Sequence, residues 1–342
     1  VSVNWQAAIA CVPSVWQGWL HAALAYRMGE SAQGTIIGAT AILSRAAQVG
    51  LNPLNEDHLI DLRERFSMSE FSALAGFMKF WQQCESLEKR PPQILIDAYD
   101  AIPRKKRSKH DVILSLDPEQ GPFTQPEQDA LHHWAHEQFC HGNLDPERYL
   151  YLRLAMIYGQ RGTQLRMIVF DDFIKTERGY QIRLFWAKQR GDAGGWRAKP
   201  EIFNLDEDFY KVVQAYQSIV LARLEQEYPG RANWNKAIKH VPLFRRKLER
   251  RGGSKRLIPV MVDLPGQNIL EQAPQAKFHA SDNAIRSWMR EMETMPDFPI
   301  SSRTHQPLKI SRGHRFRHTL GTDLSNAGLD EWSIASAFMH TN

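Results

Sequence analysis

The sequence predicts a mainly α-helical protein with one small antiparallel β-sheet: an N-terminal helical bundle over residues 1–102 and a mixed α+β domain over 121–342. Three observations predict this. Apolar residues recur at i, i+3, i+4 and i+7 through most of the chain, the period of helices that bury one face. A single stretch, Tyr180-Gln181-Ile182-Arg183-Leu184-Phe185-Trp186, alternates like a half-buried strand. Between the purely helical part and the mixed part runs Arg104-Lys105-Lys106-Arg107-Ser108-Lys109, which marks 103–120 as a basic linker. A length of 342 residues suits two domains with a core each.

In chain order, Ser14 and Gln17 form a capping-box signature ahead of Trp16, Trp19, Leu20, Ala23 and Leu24, which share one helix face. A second helix is expected from about Ser31 to Val49, closed by Gly50, and Asn55 caps a third. Ser67 with Glu70 opens a fourth, whose Phe71, Leu74, Phe77, Met78 and Trp81 make a broad apolar stripe; Pro91-Pro92 is expected to end the bundle. In the second domain Thr124 with Glu127 caps a helix through Phe139, and Asp145-Pro146 starts another that Gly159 closes. Phe173-Ile174, a turn at Glu177-Arg178-Gly179, the alternating stretch and Ile202-Phe203 supply the strands. Helices are expected over Asp206–Glu227 and Ser281–Glu293, with an elaborated loop over about 228–275.

Composition narrows the function. There is no secretory pattern and no apolar run long enough to span a bilayer, so a soluble, cytoplasmic protein is expected. Cys11, Cys84 and Cys140 form no paired framework, which fits a reducing compartment. His133, His136 and Cys140 share a helix face, but their spacing is not a zinc pattern and no metal is expected. The net charge of +5 is concentrated in two clusters: Arg104, Lys105, Lys106, Arg107 and Lys109, and then Arg245, Arg246 and Lys247 with the basic pairs after them. Two such blocks in a basic protein favour a polyanion, and both are expected to contact DNA.

The most informative stretch is Gly313-His314-Arg315-Phe316-Arg317-His318-Thr319-Leu320. His314 and Arg317, at i and i+3, share a helix face, where they suit a phosphate and its protons. Together with a Gly break at Gly328 and His340, 23 positions after Arg317, this run resembles the second signature box of the tyrosine recombinases, the phage integrase family. Gly159-Gln160-Arg161-Gly162-Thr163-Gln164-Leu165 resembles their first box, with Gln164 where the family has an acid. The resemblance implies a tyrosine-recombinase catalytic domain preceded by a DNA-binding helical domain. It also implies a site made of Arg161, Lys188, His314, Arg317 and His340, with Gln164 in support and Lys199 as the alternative lysine.

In that scheme two guanidiniums hold the nonbridging oxygens of a phosphodiester, the lysine protonates the leaving 5′ oxygen, and His314 assists the nucleophile. No cofactor, small-molecule substrate or membrane enters; the partner is double-stranded DNA, and full-length relatives assemble as tetramers on paired sites. The family's nucleophilic tyrosine lies about nine residues past the last signature residue. All nine tyrosines here precede His340, so the expectation is a chain trimmed at its ends that binds DNA without cleaving it, as a monomer. Alternatives are a type IB topoisomerase, a catalytically silent DNA-binding regulator on the same scaffold, and an unrelated helical protein with a basic surface. The recombinase reading requires the side chains of residues 161 and 317 to meet in one basic hollow.

Overall fold

The structure, a computed structural model, describes residues 5–30, 33–103, 116–186, 197–227, 233–246 and 278–339. It forms two compact units, Val1–Arg107 and Ser108–Asn342, whose division falls inside the stretch read as a linker. The described part is mainly helical with one three-stranded antiparallel sheet, as the periodicities predict.

The first unit holds α1 (Trp5–Ile9), α2 (Ser14–Glu30), α3 (Gln33–Gln48), α4 (Leu59–Arg65), α5 (Met68–Gln83) and α6 (Gln93–Ala101). Asn55 caps a single 3-10 turn that runs into α4. Ser67 and Glu70 form the reciprocal cap of α5, and all five residues of its predicted stripe are buried. Trp81 is wholly buried, with Trp16 edge-on at 5.8 Å.

Two expectations change. Ser14 is the first residue of α2 itself. Pro91-Pro92 does not end the bundle; it opens α6, with Pro92 as the N-cap and Leu95, Ile96 and Tyr99 buried. A proline suits that position because the first amide groups of a helix have no acceptor within it. The Tyr99 hydroxyl donates to Pro53 O at 2.9 Å and ties α6 back to the loop before α4.

The second unit holds α7 (Gln125–Cys140), α8 (Pro146–Tyr158), α9 (Gly162–Arg166), β1 (Phe173–Thr176), β2 (Gly179–Phe185), β3 (Pro200–Leu205), α10 (Glu207–Glu227), α11 (Trp234–Ala237), α12 (Asp282–Met292), α13 (His314–Asn326) and α14 (Glu331–Ala337). The strands run β1-β2-β3, with Phe173 opposite Ile182 and Ile182 opposite Phe203. Helix α8 is the hub: Leu150, Leu152, Leu154 and Ala155 are buried, and α7, α9, α10 and α13 pack on it. That accounts for a helix apolar around most of its circumference.

Residues from Leu116 onward belong to this unit rather than to a linker. Leu116 O accepts from Arg303 Nη1 at 2.9 Å, and Asp117 Oδ1 accepts the amides of Glu119 and Gln120. Glu127, the capping residue of α7, is buried and also anchors two arginines. Arg303 Nη2 reaches Glu127 Oε2 at 2.6 Å, and Arg315 Nη2 lies 3.8 Å from the same oxygen. A second buried carboxylate, Asp172, is held by both terminal nitrogens of Arg197, at 2.6 and 2.9 Å. Among the described residues no helix is long and apolar enough to cross a membrane.

Candidate anion-binding cleft

Gly159 ends α8 in the left-handed conformation, φ +55°, packed close against Leu320 of α13 and Phe338. Arg161 is the N-cap of the short α9. Gln164 fixes it there: its Oε1 accepts Arg161 N at 3.2 Å, and its Nε2 donates to Phe185 O at the end of β2. Gln164 therefore braces the backbone of Arg161.

From α13, residues 314, 317 and 318 face the cleft, 315 and 319 are buried away from it, and buried Phe316 forms part of its wall. Thr319 Oγ1 accepts Phe123 N, and Arg315 Nε donates to Gly121 O, which seats the helix on the segment before α7. Arg315 is thus structural, although it stands between the two signature residues.

Arg161, His314 and Arg317 line one hollow of about 230 Å³, with Tyr151, Gln160 and Ser311 among its other walls. Arg317 is 8% exposed. Its Nη2 donates to Phe338 O at 3.0 Å, its Nη1 lies 3.4 Å from Gly159 O, and its guanidinium sits 4.1 Å above the Phe338 ring. No carboxylate among the described residues pairs with it. Burial, and then the charge of Arg161, pull its pKa down to about 9. Burial also lowers that of Arg161. His314, at the first turn of α13, is exposed, and its ring stacks toward His318 at 6.3 Å. His318 is pulled below the usual imidazole range by burial first, then by His314 and Arg317. One carboxylate, Asp282, reaches the rim and is held by Arg166 Nε at 2.9 Å. The arrangement offers cationic hydrogen-bond donors to a group that brings its own negative charge.

The remaining predicted residues fall elsewhere. Lys188, His340, Lys247 and the cluster Arg104, Lys105, Lys106, Arg107 and Lys109 lie outside the described residues, as does most of the 228–275 stretch. Lys199, the alternative lysine, packs over the Trp186 ring at 4.2 Å and does not line the hollow. Arg245 and Arg246 flank a short bridge to His279 and Phe278; Arg246 is exposed, and neither lines the cleft. His133 pairs with Glu137 at 3.1 Å, and Cys140 lies 3.6 Å from His136; no group of three or more His, Cys, Asp or Glu among the described residues is placed to hold a metal.

Sequence reasoning missed Arg286 and Arg290, which lie on the exposed side of α12 and border the cleft with Lys309 and Arg312. Their signal was present: arginines at i and i+4 opposite buried Ile285, Trp288, Met289 and Met292. Compared with known proteins, the chain matches no family model and no curated protein.

Proposed function

We propose that this protein is a DNA-binding strand-transfer enzyme of the tyrosine-recombinase type, whose second unit grips a phosphodiester of double-stranded DNA between α9 and α13. The observation that carries the reading is Arg317: a buried guanidinium with no carboxylate partner among the described residues, sharing one hollow with Arg161 and His314. A folded chain keeps a charge in that position at a desolvation cost that an incoming anion offsets. Two guanidiniums on the nonbridging oxygens of a phosphodiester would neutralise the charge that grows at a pentacoordinate phosphorus. His314 is placed to exchange a proton at the same centre.

On that reading the nucleophile is not a tyrosine that lines the hollow among the described residues. Among the described residues, Tyr151 is the tyrosine that lines the hollow, and burial raises its phenol well above the usual range, the opposite of activation. The same observation favours a second reading, a regulator that binds DNA on this scaffold without cutting it. On either reading the protein works in the cytoplasm, at the nucleoid when DNA is bound. The recombinase reading adds a tetramer on paired sites for the full-length protein.

The test is fluorescence anisotropy with a 30-base-pair duplex across a salt series. Salt-sensitive binding is expected, and Arg161→Gln should weaken it and lower the slope of log K against log salt by about 0.9, one phosphate contact. Absence of binding at low salt would end the proposal. A suicide substrate, which traps a covalent DNA–protein adduct, should give none with this 342-residue chain.

A further inference from the structure

Beside the first hollow lies a second and larger one of about 730 Å³, and the two share a border, since Arg286, Ser311, Gly313 and His314 line both. Its other walls include Arg290, Lys309, Arg312 and His318. Arg286 and Arg290 project from the exposed side of α12, one turn apart, and neither they nor Lys309 pair with a carboxylate among the described residues. Arg312 has a loose partner, Glu119 at 3.6 Å, with both side chains about half exposed. The carboxylate in the wall, Glu293, accepts Ser311 N at 2.7 Å and so holds the loop that leads into α13.

Four cations and a half-buried imidazole thus converge with one engaged carboxylate. Like charges lining one hollow repel one another, and where salt bridges are few and loose the repulsion is relieved by counterions. A single phosphate in the first hollow would leave the second unused. A chain of phosphates would reach both, since consecutive phosphates of one strand follow each other along its backbone.

We infer that the second hollow is a binding site for a neighbouring backbone phosphate of the same duplex, with His314 at the boundary between the two positions. The inference rests on the reading given above of the first hollow. It makes the preferred ligand an uninterrupted phosphodiester backbone, and it assigns Arg290, Lys309 and Arg312 to binding rather than to the reacting centre.

The test compares two triple variants of the 342-residue chain that lose equal charge. Arg290→Gln/Lys309→Gln/Arg312→Gln alters the second hollow. Lys175→Gln/Arg178→Gln/Lys239→Gln alters exposed side chains elsewhere in the same unit. Duplex binding is followed by anisotropy between 50 and 200 mM salt, and stabilisation by inorganic phosphate is followed by thermal melting. The first triple should lose roughly tenfold or more in duplex affinity, with a shallower salt slope, and keep its stabilisation by inorganic phosphate. The second triple should change far less. Equal losses in both, or none in the first while the wild type binds, would overturn the inference and leave the first hollow's role intact. A wild-type chain that binds no duplex would instead remove the reading on which both stand.

Discussion

Arg315 and Arg317 are chemically identical and two positions apart, yet they do different work. Arg315 is 1% exposed and spends its donors on Gly121 O, on Lys309 O and toward Glu127, with Phe123 beneath its guanidinium at 3.8 Å. Among the described residues Arg317 has two carbonyls, a ring and no carboxylate. Its pKa of about 9 lies well below the ordinary guanidinium value, so between the two the unfolded chain binds the extra proton. This residue's contribution to stability therefore rises with pH through that window; at neutral pH it is a cost. An anion in the hollow should reverse it. Inorganic phosphate at ten times its dissociation constant should stabilise the second unit by about 1.4 kcal/mol, a melting shift of a few degrees. Arg317→Met should abolish that shift, and calorimetry with phosphate against chloride at equal ionic strength checks it. The i, i+3 spacing of His314 and Arg317 was legible in the sequence. That Arg315 would turn inward was not, because its partner Glu127 lies far away in the chain.

At the scale of elements, local signals did well where they were chemical. The Thr124–Glu127 and Ser67–Glu70 caps, the Asp145-Pro146 start and the Gly159 stop all occur as read. They failed where length or ambiguity intervened: α1 has five residues, too few to show a period, and a proline pair reads equally as a helix end or a helix beginning. Gly159 offers a test of how far one such element positions the cleft. A Cβ there would stand 3.1 Å from Leu320 and 3.1 Å from the Phe338 ring, on a left-handed backbone. Gly142 has a similar φ of +72° with nothing within 4 Å. Gly142→Ala should cost only the backbone strain, about 1 kcal/mol. Gly159→Ala should cost about 3 kcal/mol and also weaken phosphate binding, because Gly159 O and Phe338 hold Arg317. Denaturant melts of both variants, with and without phosphate, separate the two effects.

Across the whole molecule the two units have separate cores and different electrostatics. Residues 1–103 carry ten acidic side chains against seven basic ones. That bundle is a poor polyanion binder by charge, and the reading of the first unit as DNA-binding leans on the five cations over 104–109 that follow it. Replacing Arg104, Lys105, Lys106, Arg107 and Lys109 with Gln should therefore reduce duplex affinity and lower the salt slope by several units, while leaving the phosphate-induced melting shift unchanged. Equal salt slopes for wild type and variant would show that this stretch does not follow the backbone. The two-unit plan was legible because composition changes sharply at that point. The convergence of Arg161 with Arg317 came from motif spacing; the cationic wall of α12 was overlooked because helix amphipathicity was read for its apolar side only.

The Phe338 ring meets a cation and two glycines. It carries the guanidinium of Arg317, and it would meet a methyl group added at Gly321 at 3.2 Å as closely as one added at Gly159. Positions 159, 321 and 338 therefore cannot drift one at a time. Enlarging either glycine calls for a smaller residue at 338, and that smaller residue removes the aromatic face from beneath the cation. Related chains should change these three sites in concert, or not at all.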